Sequence, residues 1–218
     1  MLSELQQRLS NINGVDPGHD IADFVVTDRA LAMALSNGAL LSNSNETLLV
    51  AEEEDGVSLS VFLDRSTLSR VIDANPLTEL QPELLEDLWA VLEGISHFNY
   101  LVASAQCERP VTLLELELQA EVDKYAATLA LLLAQGDTDL PSRLHSWLFE
   151  RVTFRDDLDA DQLQRYQTAN DYAGRFCHQL RDDFMKGSER AHVELRKFSR
   201  QSQQGKISHV HALAWSGP

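Results

Sequence analysis

Cysteine is scarce: Cys107 and Cys177 are too few for a disulfide framework and point to free thiols in a reducing compartment. The opening MLSELQQRLSNING lacks the basic region and apolar run of a secretory signal, so the expectation is a cytoplasmic protein. Long apolar runs are missing as well. A helix needs about 20 such residues to cross a bilayer, and even TLALLLA is closed by Gln135, Gly136 and Asp137. No repeat and no extended low-complexity tract is visible, which sets aside solenoids and propellers.

The chemical signatures absent are equally telling. There is no Gly-x-Ser-x-Gly elbow, no Gly-x-x-x-x-Gly-Lys phosphate loop, no Gly-x-Gly-x-x-Gly turn and no Cys-x-x-Cys pair. Nucleotide hydrolysis, dinucleotide redox chemistry and structural zinc thereby lose their usual support, and the reading leans away from an enzyme. Positive charge is in deficit too: 18 Lys and Arg stand against 34 Asp and Glu, net -16. Such a surface repels phosphate backbones and anionic lipid, which argues against general nucleic-acid or membrane binding.

The acidity is uneven. Residues 1–109 hold five basic and 18 acidic groups, whereas residues 110–218 hold 13 and 16. Within the second half, residues 186–206 carry Lys186, Arg190, Arg196, Lys197, Arg200 and Lys206 against Glu189 and Glu194, a local net of +4.

Periodicity predicts a mainly α protein, with a small N-terminal α+β portion over 1–76 and a helical bundle over 77–218. Leu2, Leu5 and Leu9 mark a short first helix ended at Asn13-Gly14; a second, capped by Thr27, ends at Asn37-Gly38. Alternation in 57–63, with Glu54-Asp55-Gly56 before it, predicts a hairpin over 47–63. Its apolar face, with Val57, Leu59, Val61 and Leu63, needs covering, and the flanking short helices are the nearest candidates. Asn75-Pro76 breaks the chain. A long helix follows from Pro82 through Val102; Thr112 and Glu115 form a capping box for the next, which runs to Gly136. Further helices are expected near 141–151, 159–185 and 188–200, with a last turn at 206–213.

Glu93, His97, Tyr100 and Ser104 recur at steps of four, three and four, so they share one helical face. Glu117, Glu121 and Lys124 do the same on the next helix. Two antiparallel neighbours bring Glu93, His97, Glu117 and Glu121 to one point, a pocket for a ligand, a metal or acid–base work. Di-iron carboxylate bundles use Glu with His three residues later on each of two helices, and here the one such pair is Glu189 with His192. The alternative is a solvated, salt-bridged face, and no cofactor or metal is assigned from the sequence. Cys177 beside Phe176 and Leu180 reads as a small core residue, since adjacent His178 points about 100° away on a helix. His209 and His211 could chelate only in an extended segment. Arg165, Tyr166, Asn170 and Asp171 with the later cations suit a phosphate or carboxylate. The favoured reading is different: Arg196, Lys197, Arg200 and Lys206 dock an acidic protein partner or a second copy. No catalytic residue is assigned.

Overall fold

The computed structural model describes residues 1–36, 44–53 and 56–215. The protein is mainly α with a small three-stranded sheet near its N-terminus. Local chemistry sets the helix boundaries. α1 (Leu2–Asn13) ends where Gly14 takes φ 72°, a left-handed conformation that glycine adopts without penalty. Asp28, not Thr27, caps α2 (Arg29–Leu35), its carboxylate accepting from Ala30 N and Leu31 N. The expected stop at Asn37-Gly38 and the Glu54-Asp55 turn lie outside the described residues.

The hairpin is present: β2 (Glu46–Glu53) runs antiparallel to β3 (Gly56–Leu63), with Leu48 opposite Val61. A third strand, β1 (Val25–Val26), adds parallel to β3, giving the order β1-β3-β2. Two residues are too short for any periodic signal, which is why the sequence shows no trace of it. One sheet face meets α2 through Ala32, Leu49 and Phe62. The other presents Val61 and Leu63 to the main core, across Asn75-Pro76. After α3 (Arg65–Ala74), capped by Asp64, the chain turns at Asn75 in the left-handed region.

α4 (Leu85–Gln106) and α5 (Leu113–Ala134) are antiparallel: Trp89 Nε1 donates to Thr128 Oγ1, while Tyr100 OH reaches Glu115 near the other end. Only half of the expected capping box forms. Thr112 Oγ1 accepts from Glu115 N, but the Glu115 carboxylate turns instead to Tyr100 OH, Arg109 and Gln203 N. A buried carboxylate gains more from a guanidinium and a phenol than from one backbone donor.

The sheet approaches α4 closely at Gly94. A Cβ there would stand 3.0 Å from Val61 Cγ1 and 3.1 Å from both Leu63 Cδ2 and Glu46 Cγ. Glycine is what permits this contact.

Beyond α5 come α6 (Leu140–His145), continued by a π turn at Ser146–Glu150, then α7 (Ala160–Gln179), α8 (Arg181–Met185), α9 (Glu189–Ser199) and α10 (Gln203–Trp215). The expected helix 159–185 is thus broken at Leu180, and the last turn grows into a full helix. α7 packs along α5, and Phe176 stacks on Phe198 of α9 at 4.3 Å. Among the described residues, no helix is long and apolar enough to cross a membrane.

Candidate functional site

The four residues expected to line a pocket do converge. Glu93 and His97, one turn apart on α4, face Glu117, Glu121 and Lys124 of α5. Lys124 Nζ donates to Glu93 Oε2 at 3.0 Å and to Glu121 Oε1 at 2.7 Å. His97 Nε2 lies 3.6 Å from Glu117 Oε2. Two further elements complete the centre. Antiparallel partners share a sheet face, so Glu46, paired with Leu63, projects toward α4, and its Oε1 lies 3.3 Å from His97 Nδ1. From α7, Arg165 Nε comes within 3.8 Å of Glu117 Oε1, and its guanidinium sits 5.4 Å from the Tyr166 ring.

The centre is largely withdrawn from water: His97 is 6% exposed and Lys124 7%, with Glu93, Glu121 and Arg165 forming a more open rim. One donor atom from each of Glu46, Glu93 and His97 lies within 4.8 Å of the others. Four carboxylates (Glu46, Glu93, Glu117, Glu121) therefore meet two permanent cations, Lys124 and Arg165.

Burial raises the pKa of Glu46, which His97 only partly offsets. Burial likewise raises Glu121, against the pull of Lys124. For Glu93 the burial cost is outweighed by Lys124 and His97, and its pKa falls. Burial opposes charge on His97, yet Glu46 and Glu117 prevail and hold its pKa well above the ordinary imidazole value.

Tyr100 and Ser104 continue the α4 stripe in sequence but belong elsewhere: Tyr100 OH donates to Glu115, and Ser104 Oγ accepts from Arg109. They border a second buried network. Asp123 accepts from Ser96 Oγ, Asn13 Nδ2 and Gln119 Nε2, and Gln119 Oε1 accepts from Lys206 Nζ. Lys206 also donates to Phe198 O and lies 4.3 Å from the Phe198 ring centroid and 4.7 Å from that of Tyr100. Fully buried, it does not share a surface with Arg196, Lys197 and Arg200, which are exposed. Burial brings its pKa down to about 7, against the attraction of Asp123 and Glu115.

The remaining candidates separate. Asn170 donates to Phe149 O and Asp171 pairs with Arg175, so neither joins Arg165. Cys177 is fully buried and its thiol pKa is pushed well up by that burial, the opposite of a reactive thiolate. His209 and His211 lie on helical α10, where residues two apart point away from each other; His209 Nε2 pairs with Glu194, and His211 meets the Tyr172 ring edge-on. Glu46 and Arg165 are the contributors to the centre that spacing did not single out for it. A glutamate opening a strand reads as solvent-facing, and only the alternation with Leu48 hints at its inward face.

Fold and centre together define an α-rich protein with a carboxylate–histidine cluster set between a helix pair and a sheet edge. No family model, curated protein or solved structure matches the chain.

Proposed function

We propose that the protein is a cytoplasmic binding protein whose helix-pair centre takes a cationic ligand. The observation that carries this reading is the charge mismatch: four carboxylates gather around Lys124, Arg165 and His97, so that acidic groups outnumber basic ones even with the imidazole charged, in a place mostly removed from water. Burying unmatched charge opposes folding, and a fold that keeps it does so at a cost that a ligand of opposite sign removes. The test is neutralisation without change of shape. Glu46→Gln and Glu121→Gln each raise the stability of the ligand-free protein by about 0.5–2 kcal/mol, measured by urea unfolding. A loss of stability in both variants would mark the cluster as structural and overturn the reading.

A separate docking role is supported by Arg196, Lys197 and Arg200, exposed toward the end of α9. Arg196 donates to Asn11 O, and Lys197 stands 4.0 Å from Glu194. An acidic protein, or the acidic N-terminal half of a second copy, is the partner this chemistry fits. Replacing all three by Ser should reduce association at low salt, read by light scattering and pull-down. Unchanged partners and mass would remove this role.

A further inference from the structure

Resting on the cation-binding reading above, we propose that the ligand is a divalent first-row transition-metal ion held by Glu46, Glu93 and His97, with Glu117 beside them as a further donor. The three residues come from two elements far apart in sequence, yet a donor atom of each lies within 4.8 Å of the others. Metal–oxygen and metal–nitrogen bonds of about 2.0–2.2 Å put neighbouring tetrahedral donors roughly 3.4 Å apart, so closure requires movements of about an ångström. Glutamate side chains supply these by rotation about their three torsions.

The second observation is His97 itself. It is 6% exposed, and its Nε2 has no hydrogen-bond partner, Glu117 Oε2 standing 3.6 Å off. An imidazole nitrogen sunk among carboxylates without a hydrogen bond is an unfilled position that points into the cluster, and imidazole is the commonest protein ligand of such metals. Mixed imidazole and carboxylate donors suit Mn²⁺, Fe²⁺, Co²⁺ or Zn²⁺, whereas Ca²⁺ and Mg²⁺ prefer oxygen alone. With His97 bound as a neutral imidazole, a double positive charge also matches the excess of carboxylates over Lys124 and Arg165.

The flanking residues take supporting places. Lys124 binds one oxygen of Glu93 and leaves the other for the ion, fixing the carboxylate's orientation from behind. Arg165 stands toward Glu117 in the same manner. Gly94, between Glu93 and Ile95 on α4, admits Glu46 to the cluster, its missing Cβ being what clears Glu46 Cγ.

The full untagged chain, purified without chelator, is assayed for bound metal by mass spectrometry, stripped with EDTA and titrated calorimetrically with Mn²⁺, Co²⁺ and Zn²⁺. One ion per chain at micromolar affinity or tighter is expected for at least one of them, undisturbed by a large excess of Ca²⁺ or Mg²⁺. His97→Gln and Glu46→Gln weaken binding by about tenfold or more, and His97→Gln alters the visible absorption of the Co²⁺ form. Glu46→Gln keeps the test alive if His97→Gln fails to fold. No uptake by the unmodified chain at millimolar metal, binding unchanged in both variants, or displacement by Ca²⁺ or Mg²⁺ overturns the assignment. If Glu46→Gln stabilises the protein while the unmodified chain takes no metal, this inference falls and the cation-binding reading stands. If the unmodified chain takes no metal and both Glu46→Gln and Glu121→Gln destabilise it, both fall.

Discussion

Two buried polar clusters sit against the same pair of helices, and they are built on opposite terms. Ser96 and His97 are adjacent on α4, as are Asp123 and Lys124 on α5, yet Ser96 and Asp123 turn into one cluster while His97 and Lys124 turn into the other. Around Asp123, three neutral donors face one carboxylate, and Gln119 relays to Lys206. In the centre built by Glu46, Glu93, His97 and Glu117, carboxylates outnumber permanent cations, and a buried nitrogen has no hydrogen bond. Matched donors and acceptors hold helices together; unmatched ones oppose the fold that buries them. Burial alone therefore does not distinguish the two clusters, whereas the balance of donors against acceptors does.

The comparison breaks most visibly at Asp123. Asp123→Ala strands Asn13, Ser96 and Gln119 in the interior and should lower stability by about 3 kcal/mol or more, read by chemical denaturation. That sign is opposite to the gain expected for Glu46→Gln, and equal signs at the two sites would erase the distinction. A smaller loss, roughly 1–2 kcal/mol, is expected for Ser96→Ala, which removes one of the donors to Asp123. For Thr112→Ala, outside both clusters, loss of the bond to Glu115 N should cost about 1 kcal/mol and leave any metal affinity untouched.

Acid and base sharpen the contrast further. Burial lowers the pKa of Lys206 from the ordinary lysine value to about 7 in the folded state, so folding disfavours its charged form. The unfolded chain then holds more protons between about pH 7 and 10, and stability rises with pH across that window. The opposing penalty is fully present below pH 7. Lys206→Met should flatten this rise relative to the unmodified protein, measured by denaturation at pH 7, 8 and 9. An identical slope in the two proteins would show that the ammonium is not withdrawn from water.

How far this was legible in the sequence depends on the residue. Apolar periodicity marks α4 and α5, and the four-residue steps of Glu93, His97, Glu117 and Glu121 place them together, because a helix converts spacing directly into facing. Glu46 and β1 escape, since strand pairing is set by residues remote along the chain and two residues carry no period. Lys206 is misleading for another reason. A lysine within a basic stretch reads as a solvated charge, and nothing local announces that Gln119, Phe198 O and two rings will enclose it. Glu115 shows the same limit: the cap sequence is right for Thr112, but its carboxylate finds stronger partners supplied by the fold.

Gly94 carries one more consequence. The distance between strand and helix is set there by an atom that does not exist, so side-chain size at this position acts as a mechanical shim. A methyl group inserted there obliges Val61, Leu63 and Glu46 to give by a few tenths of an ångström, at the contact that brings Glu46 to the centre, while every charge and every donor of the cluster is kept. Proximity and composition in the centre can thus be varied independently, by thickness rather than by chemistry.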